Sequence, residues 1–255
     1  MTPRQQAFLA RPFALGAEPA PQYPPVPVPT LLLASLLPPH VVAVESFGAR
    51  GGDWRAGLHP AEIRAMAHAG DKRRREFAEV RVRARQALEA LGEPPVALLP
   101  GPRGEPRWPH GVVGSMTHCA GYRAAAVARR SDGTAGLGVD AEPHAPLADG
   151  VLEMVADPAE RAHLAALALL RPDVCWGRVL FSVKEAIFKA WYPLARRELD
   201  FLEARVRLSV DPGPEPAGGF RATVTVPGPL PAAAGRWRVA HGVIASAVEV
   251  PAAGP

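Results

Sequence analysis

Asp140 and Glu142 stand two residues apart in "GLGVDAEPH" (136–144), at the end of a short apolar run. On an extended strand, side chains at i and i+2 share a face, so both carboxylates would project together. Like charges that close call for a cation. A hard divalent ion such as Mg2+ takes carboxylate oxygens along with water and phosphate oxygens, which makes the pair half of a metal site. The plainer alternative is two solvated acids that end a strand before the turn at Pro143.

In "FSVKEAIFKAWYPL" (181–194), Glu185 and Lys189 are four apart and neighbours on one helical face. An acid and a base side by side could hold metal and phosphate together. Two other roles are open to them. Ser182 and Glu185 match the S-x-x-E capping box of a helix start, and Glu185 with Lys189 could be a surface ion pair. Phe181, Ile187, Phe188, Trp191 and Tyr192 nevertheless surround the pair with apolar bulk, unlike a solvated face.

A third candidate is "GSMTHCAGY" (114–122), in which Thr117 and His118 offer donors in a glycine-flanked turn. Hydroxyl and imidazole donors beside flexible backbone suit a phosphate, although a lone histidine in a turn is often structural. The fourth is basic: Arg74, Arg81 and Arg85 fall on one helical stripe, with Lys72, Arg73 and Arg75 at its start. Arginine forks bind phosphates in bidentate fashion. The same stripe could be a solvated face or a nucleic-acid contact.

The elements that must carry these residues follow from periodicity and from turn residues. "VVAVESF" (41–47) reads as a strand and "HPAEIRAMAHA" (59–69) as a helix with proline in its first turn. Over 71–91, Phe77, Val80, Ala84, Leu88 and Leu91 recur at three- and four-residue spacing, one face of an amphipathic helix stopped by Gly92. Residues 98–111 form a turn-rich loop and "YRAAAVAR" a strand. "SDGTAG" is a turn, "LGVDAE" a strand, and "PAERAHLAALALL" and "DVCWGRVLFSVKEAIFKAWYPL" are helices. The tail "ARVRLSV", "FRATVTV" and "GRWRVAHGVIASAVEV" alternates apolar and polar residues between glycines and prolines, as antiparallel strands do. The order implies an α+β protein.

The 255 residues suffice for one large fold or two fused lobes. Hydrophobic residues are 48% and charged residues 21%, which excludes extensive disorder. Many of the 30 prolines gather before residue 30, so residues 1–30 read as a loosely ordered extension. Cys119 and Cys175 are too few for a disulfide framework and lack zinc-site spacing, which points to a reducing cytoplasm. No segment reads as a secretion signal or a membrane span. The net charge of +4 favours acidic partners without choosing among them.

Together, "KRRREFAEVR" (72–81), "GEPRWPHGVVGSMTHCAGY" (104–122), "GVDAEPH" (138–144) and "FSVKEAIFKAWYPL" resemble the Sfp-type 4'-phosphopantetheinyl transferases, in the branch of the enterobactin synthetase component D enzymes and their actinobacterial relatives. The T-H, G-V-D-x-E and K-E-x-x-x-K motifs in this order are specific to that family. The resemblance implies two similar α+β lobes in pseudo-twofold arrangement, residues 31–132 and 133–255, with coenzyme A in the cleft between them. It implies that Asp140, Glu142 and Glu185 hold Mg2+ on the diphosphate of coenzyme A, with the Ala141 backbone facing the metal through water. Lys189 would contact the diphosphate, and Thr117 and His118 other phosphates. Arg73 and Arg81, helped by Arg74, would grip the 3'-phosphate. Close relatives carry a lysine where Pro100 stands here, and Arg103 is the candidate substitute. The implied reaction is attack by a serine hydroxyl of an apo acyl or peptidyl carrier protein on the β-phosphorus, which releases 3',5'-adenosine bisphosphate. Glu185 would accept the serine proton. The expected partners are coenzyme A and acidic carrier proteins, with no nucleic acid, no membrane and a monomeric chain. The rival is a non-catalytic, basic nucleic-acid-binding protein.

Overall fold

A computed structural model describes residues 31–48 and 52–252. The expected extension at 1–30 lies outside the described residues. The first sheet is antiparallel in the order β1-β3-β2, with β1 at Val42–Phe47, β2 at Val112–Cys119 and β3 at Tyr122–Arg129. Helix α1 (Pro60–Ala65) and helix α2 (Asp71–Ala90) lie between β1 and β2 in the chain. Phe77, Val80, Ala84 and Leu88 of α2 are buried, as their spacing requires.

Strand β3 is short of large side chains because it is covered on both faces. Ala125 and Val127 meet Ala84, Ala87 and Leu88 of α2 in one core cluster, while Ala124, Ala126 and Ala128 face a second. That second cluster also takes in Leu32, Leu33 and Leu36 from the start of the described chain. Glu45 anchors this leading segment by accepting the Leu33 N–H at 3.0 Å.

The second sheet is antiparallel in the order β4-β8-β7-β6-β5. Its strands are β4 (Thr134–Pro143), β5 (Ala204–Leu208), β6 (Ala217–Val224), β7 (Ala232–Ala240) and β8 (Val243–Pro251). Between β4 and β5 run α3 (Val151–Val155), α4 (Pro158–Leu170) and α5 (Trp176–Ala195). The free edge at β5 is sealed by α4, where Glu160 accepts the Val206 N–H at 2.8 Å and His163 the Leu208 N–H at 3.2 Å. Edge strands left open are templates for unwanted pairing. Lys184 completes this network inside the protein, donating to Glu160, the Val155 carbonyl and the Phe201 carbonyl at 2.7–2.8 Å.

The edges β2 and β4 of the two sheets meet side by side, joined through side chains. Ser115 Oγ accepts the Val139 N–H at 3.0 Å and Thr117 Oγ1 accepts the Ala141 N–H at 2.8 Å. Both hydroxyls sit at i and i+2 of β2, so the period of the strand places them on the same seam.

Two local expectations are corrected. Residues 114–119 are strand rather than turn, and Gly114 is needed because the Trp108 indole covers it: a β-carbon there would lie 2.7 Å from the ring. The helix expected over 59–69 ends at Ala65, where Arg74 donates to the Met66 and Ala67 carbonyls at 3.2 and 2.6 Å. A cation at a helix C-terminus satisfies carbonyls that have no helical partner.

Candidate active site

On β4 the residues Gly136, Gly138, Asp140 and Glu142 share one face by strand period, and that face meets α5. Gly136 contacts Leu194, and Gly138 lies against the Ala186 carbonyl. The helix therefore descends close to the strand, and Lys189 reaches Asp140. Its Nζ stands 2.7 Å from Asp140 Oδ1 and 3.1 Å from the Val139 carbonyl oxygen. Asp140 is buried, and its Oδ2 has no hydrogen-bond partner among the described residues. The solvated-pair alternative is thereby excluded for Asp140.

Glu142 is held differently. Arg178 donates from Nη1 to Glu142 Oε2 at 3.0 Å and also to the Ala145 and Pro146 carbonyls at 3.2 and 2.7 Å. Arg178, Glu185 and Lys189 are spaced by seven and four along α5, so one helical face presents all three to β4. That spacing was a legible signal for Arg178, which the sequence reading left out.

The acids repel one another. Glu142 is pushed up to about 8, by burial first and then by Asp140, against the pull of Arg178 and Lys189. Glu185 is pushed up to about 7 by burial and by Asp140, with Lys189 opposing. Burial works against the charge on Lys189, but Asp140 and Glu185 outweigh it and raise its pKa. The site thus lacks positive charge although it already holds one ammonium. The capping-box alternative fails because Ser182 lies inside α5, with its hydroxyl 3.0 Å from that of Ser246. The surface-pair alternative fails because Lys189 turns inward to Asp140.

These donors are hard carboxylate oxygens, one of them buried and unpartnered, and their chemistry fits Mg2+. Among the described residues no three ligating side chains are yet drawn about one point. Lys189 and Arg178 occupy an oxygen of Asp140 and of Glu142 respectively.

Beside this cluster opens a cavity of about 730 Å3, walled by α2, the 102–111 loop, β2, the start of β4 and α5. Arg73, Arg81, Arg103, His118, Glu185 and Lys189 line it, with Trp108, Phe188 and Tyr192 as apolar wall. Arg81 is buried, stacks over the Phe77 ring with its Cζ 3.3 Å from the centroid, and donates from Nε to the Leu98 carbonyl at 2.7 Å. Burial lowers its pKa to about 9. His118 Nε2 stands 3.4 Å from Glu76 Oε2, and this contact is the main reason Glu76 titrates below the usual carboxylate range. Arg103 reaches across to pair with Glu198.

Two of the expected ligand contacts stand elsewhere. Thr117 is buried, its hydroxyl taken by the Ala141 N–H and lying 3.4 Å from Asp140 Oδ1, so it serves the strand seam rather than the cavity wall. Arg74 is spent on the end of α1 and on Asp71. The Ala141 N–H is the one that donates to Thr117. The nucleic-acid alternative gains no support, because the stripe it needs is turned inward: Arg85 pairs with buried Glu62 at 2.7 Å, and Arg81 is buried against Phe77 at the cavity wall.

Fold and site together define an α+β protein with an arginine-lined cavity beside a buried acid cluster. Comparison with known proteins narrows the class. The 4'-phosphopantetheinyl transferase N-terminal domain model matches residues 61–128, and that of the 4'-phosphopantetheinyl transferase superfamily matches residues 136–226. The chain is 53% identical over 227 residues to 4'-phosphopantetheinyl transferase Svp of Streptomyces mobaraensis, covering 87% of this chain and 90% of that protein. It is 46% identical over 200 residues to Npt of Nocardia iowensis, covering 74% and 88%. It is 41% identical over 225 residues to PptT of Mycobacterium tuberculosis, covering 85% and 97%. The chain belongs to the 4'-phosphopantetheinyl transferase superfamily, within reach of its actinobacterial members.

Proposed function

We propose that the protein transfers the 4'-phosphopantetheine group of coenzyme A to a serine of apo acyl or peptidyl carrier proteins, releasing 3',5'-adenosine bisphosphate, in a Mg2+-dependent reaction. The observation that carries this reading is the approach of Lys189, Glu185 and buried Asp140 at the rim of the arginine-lined cavity. Asp140, Glu142 and Glu185 are the side chains for the metal, with the Ala141 backbone behind an intervening water. When bound, Mg2+ neutralises the diphosphate.

The rest of the chemistry belongs to the chain. Arg73 and Arg81 take the 3'-phosphate, Arg103 stands in for the lysine absent at Pro100, and His118 and Lys189 donate to the phosphates that flank the scissile bond. The serine oxygen attacks the β-phosphorus, and the bond from that phosphorus to the bridging oxygen of the adenosine bisphosphate breaks. Glu185, which burial and Asp140 raise to about 7, accepts the serine proton from its ionised form near neutral pH. Phosphoryl transfer asks mainly for positioning and charge neutralisation, which these residues supply.

We place the lobe boundary between residues 132 and 133 and the active chain in the cytoplasm as a monomer. The two free cysteines support the cytoplasmic placement. The net charge of +4 suits carriers with an acidic surface. Asp140→Ala and Glu142→Ala test the reading: transfer at ordinary Mg2+ should be abolished in protein that remains folded at the assay temperature. Full activity in both variants would remove the metal assignment.

A further inference from the structure

We propose that Lys189 is an internal counter-cation, which occupies Asp140 in the free protein and must leave that carboxylate before a divalent ion can take it, so that coenzyme A and metal promote each other's binding. The inference rests on the Mg2+ reading above and adds to it an order built into the chain.

The two partners differ in freedom. Asp140 stands on a strand paired to β8 on one side and seamed to β2 on the other, and its side chain is 7% exposed. Lys189 has a four-carbon stem, is 28% exposed and lines the cavity as well as touching Asp140. Any movement therefore belongs to the lysine. At present its ammonium satisfies Asp140 Oδ1, while Oδ2, on the same carboxylate, is buried and unsatisfied. A resident positive charge 2.7 Å from that carboxylate opposes a dication through direct repulsion.

A diphosphate in the cavity changes this balance because it offers the ammonium a second anionic partner. The lysine then has two positions, on Asp140 or on the diphosphate. A ligand shifts such an equilibrium only by binding one state better, and here both the diphosphate and the metal favour the second. The coupling is reciprocal. Arg178 does not behave in this way, since it lies outside the cavity lining and is tied to two carbonyls besides Glu142.

The test is Mn2+ binding to the intact chain, followed by the paramagnetic resonance of free Mn2+ with and without coenzyme A at one fixed pH. Without coenzyme A, Lys189→Gln should bind Mn2+ about ten- to a hundredfold more tightly than the wild type, the equivalent of one charge-assisted hydrogen bond. Adding Asp140→Asn should erase that gain, and Lys189→Arg, which keeps the charge, should not produce it. Lys189→Met reads the same comparison should the glutamine variant not fold. Mn2+ binding to Lys189→Gln no tighter than to the wild type, with wild-type binding intact in the presence of coenzyme A, overturns the counter-cation role alone. Absence of Mn2+ binding to the wild type under both conditions overturns the metal reading and this inference with it.

Discussion

Gly138 lies under the Ala186 carbonyl so closely that a β-carbon built there would stand 1.8 Å from the oxygen and 2.9 Å from the Ala190 nitrogen. The helix backbone rests on the strand backbone, and Lys189 reaches Asp140 because of it. Gly138→Ala must push α5 outward, since both opposing atoms are main chain. Overpacking of this kind costs roughly 1–3 kcal/mol. The variant should melt lower, and its turnover should fall further than the loss of folded protein explains. A Gly138→Ala protein with wild-type turnover would show that the strand-to-helix distance does not set the site.

Thr117 offers a second test of positioning. Its hydroxyl is the acceptor for the Ala141 N–H at 2.8 Å, and a buried amide left without a partner costs about 1–3 kcal/mol. Thr117→Val should therefore lower the melting temperature while Thr117→Ser restores it, with coenzyme A affinity little changed in the serine variant. Selective loss of coenzyme A affinity in Thr117→Val at unchanged melting temperature would return Thr117 to the ligand contacts.

The cavity arginines are separated by ligand choice. Arg73→Ala and Arg81→Ala should each weaken coenzyme A by about one to two decades, through loss of a charge-assisted hydrogen bond, and dephospho-coenzyme A much less. Arg81→Ala should also destabilise the fold, because its guanidinium stacks on Phe77 and holds the Leu98 carbonyl. Equal weakening of both ligands by both variants would place the 3'-phosphate elsewhere.

The acid cluster gives the free protein a pH signature. Glu185 and Glu142 titrate at about 7 and about 8 in the folded chain, above the usual carboxylate range. Between the unfolded and folded values the native state carries the extra protons, so stability falls as pH rises through that window. Melting temperature, followed from the ordinary carboxylate pKa of 4.5 up to about 8, should drop more steeply in the wild type than in Glu185→Gln or Glu142→Gln. Saturating Mg2+ with coenzyme A should flatten the wild-type curve. Parallel curves for wild type and both variants would contradict the raised values.

Much of this was legible because local rules and tertiary structure agree. The period of 71–91 gave the buried face of α2, and the i, i+2 spacing of Asp140 and Glu142 gave their common face on β4. What escaped depends on partners distant in sequence. Thr117 and His118 are adjacent on β2 and so point to opposite faces, one into the seam with β4 and the other toward Glu76 of α2. Nothing in "GSMTHCAGY" specifies a neighbouring strand 24 residues on. Arg73, Arg74 and Arg81 look alike as residues of a basic helix, and only the carbonyls at the end of α1 decide that Arg74 turns away from the cavity. The seam between β2 and β4 is a meeting of two sheet edges, which no single strand's pattern records.

The central claim is tested most directly by the intact mass of an apo carrier protein after incubation with the purified chain, coenzyme A and Mg2+, across a panel of acyl and peptidyl carriers. At least one carrier should gain a single phosphopantetheinyl group, which is lost when its acceptor serine is replaced by alanine and is absent with Glu185→Gln over the same time. No mass gain on any carrier of the panel, from a folded protein that binds coenzyme A, would contradict the proposed transfer.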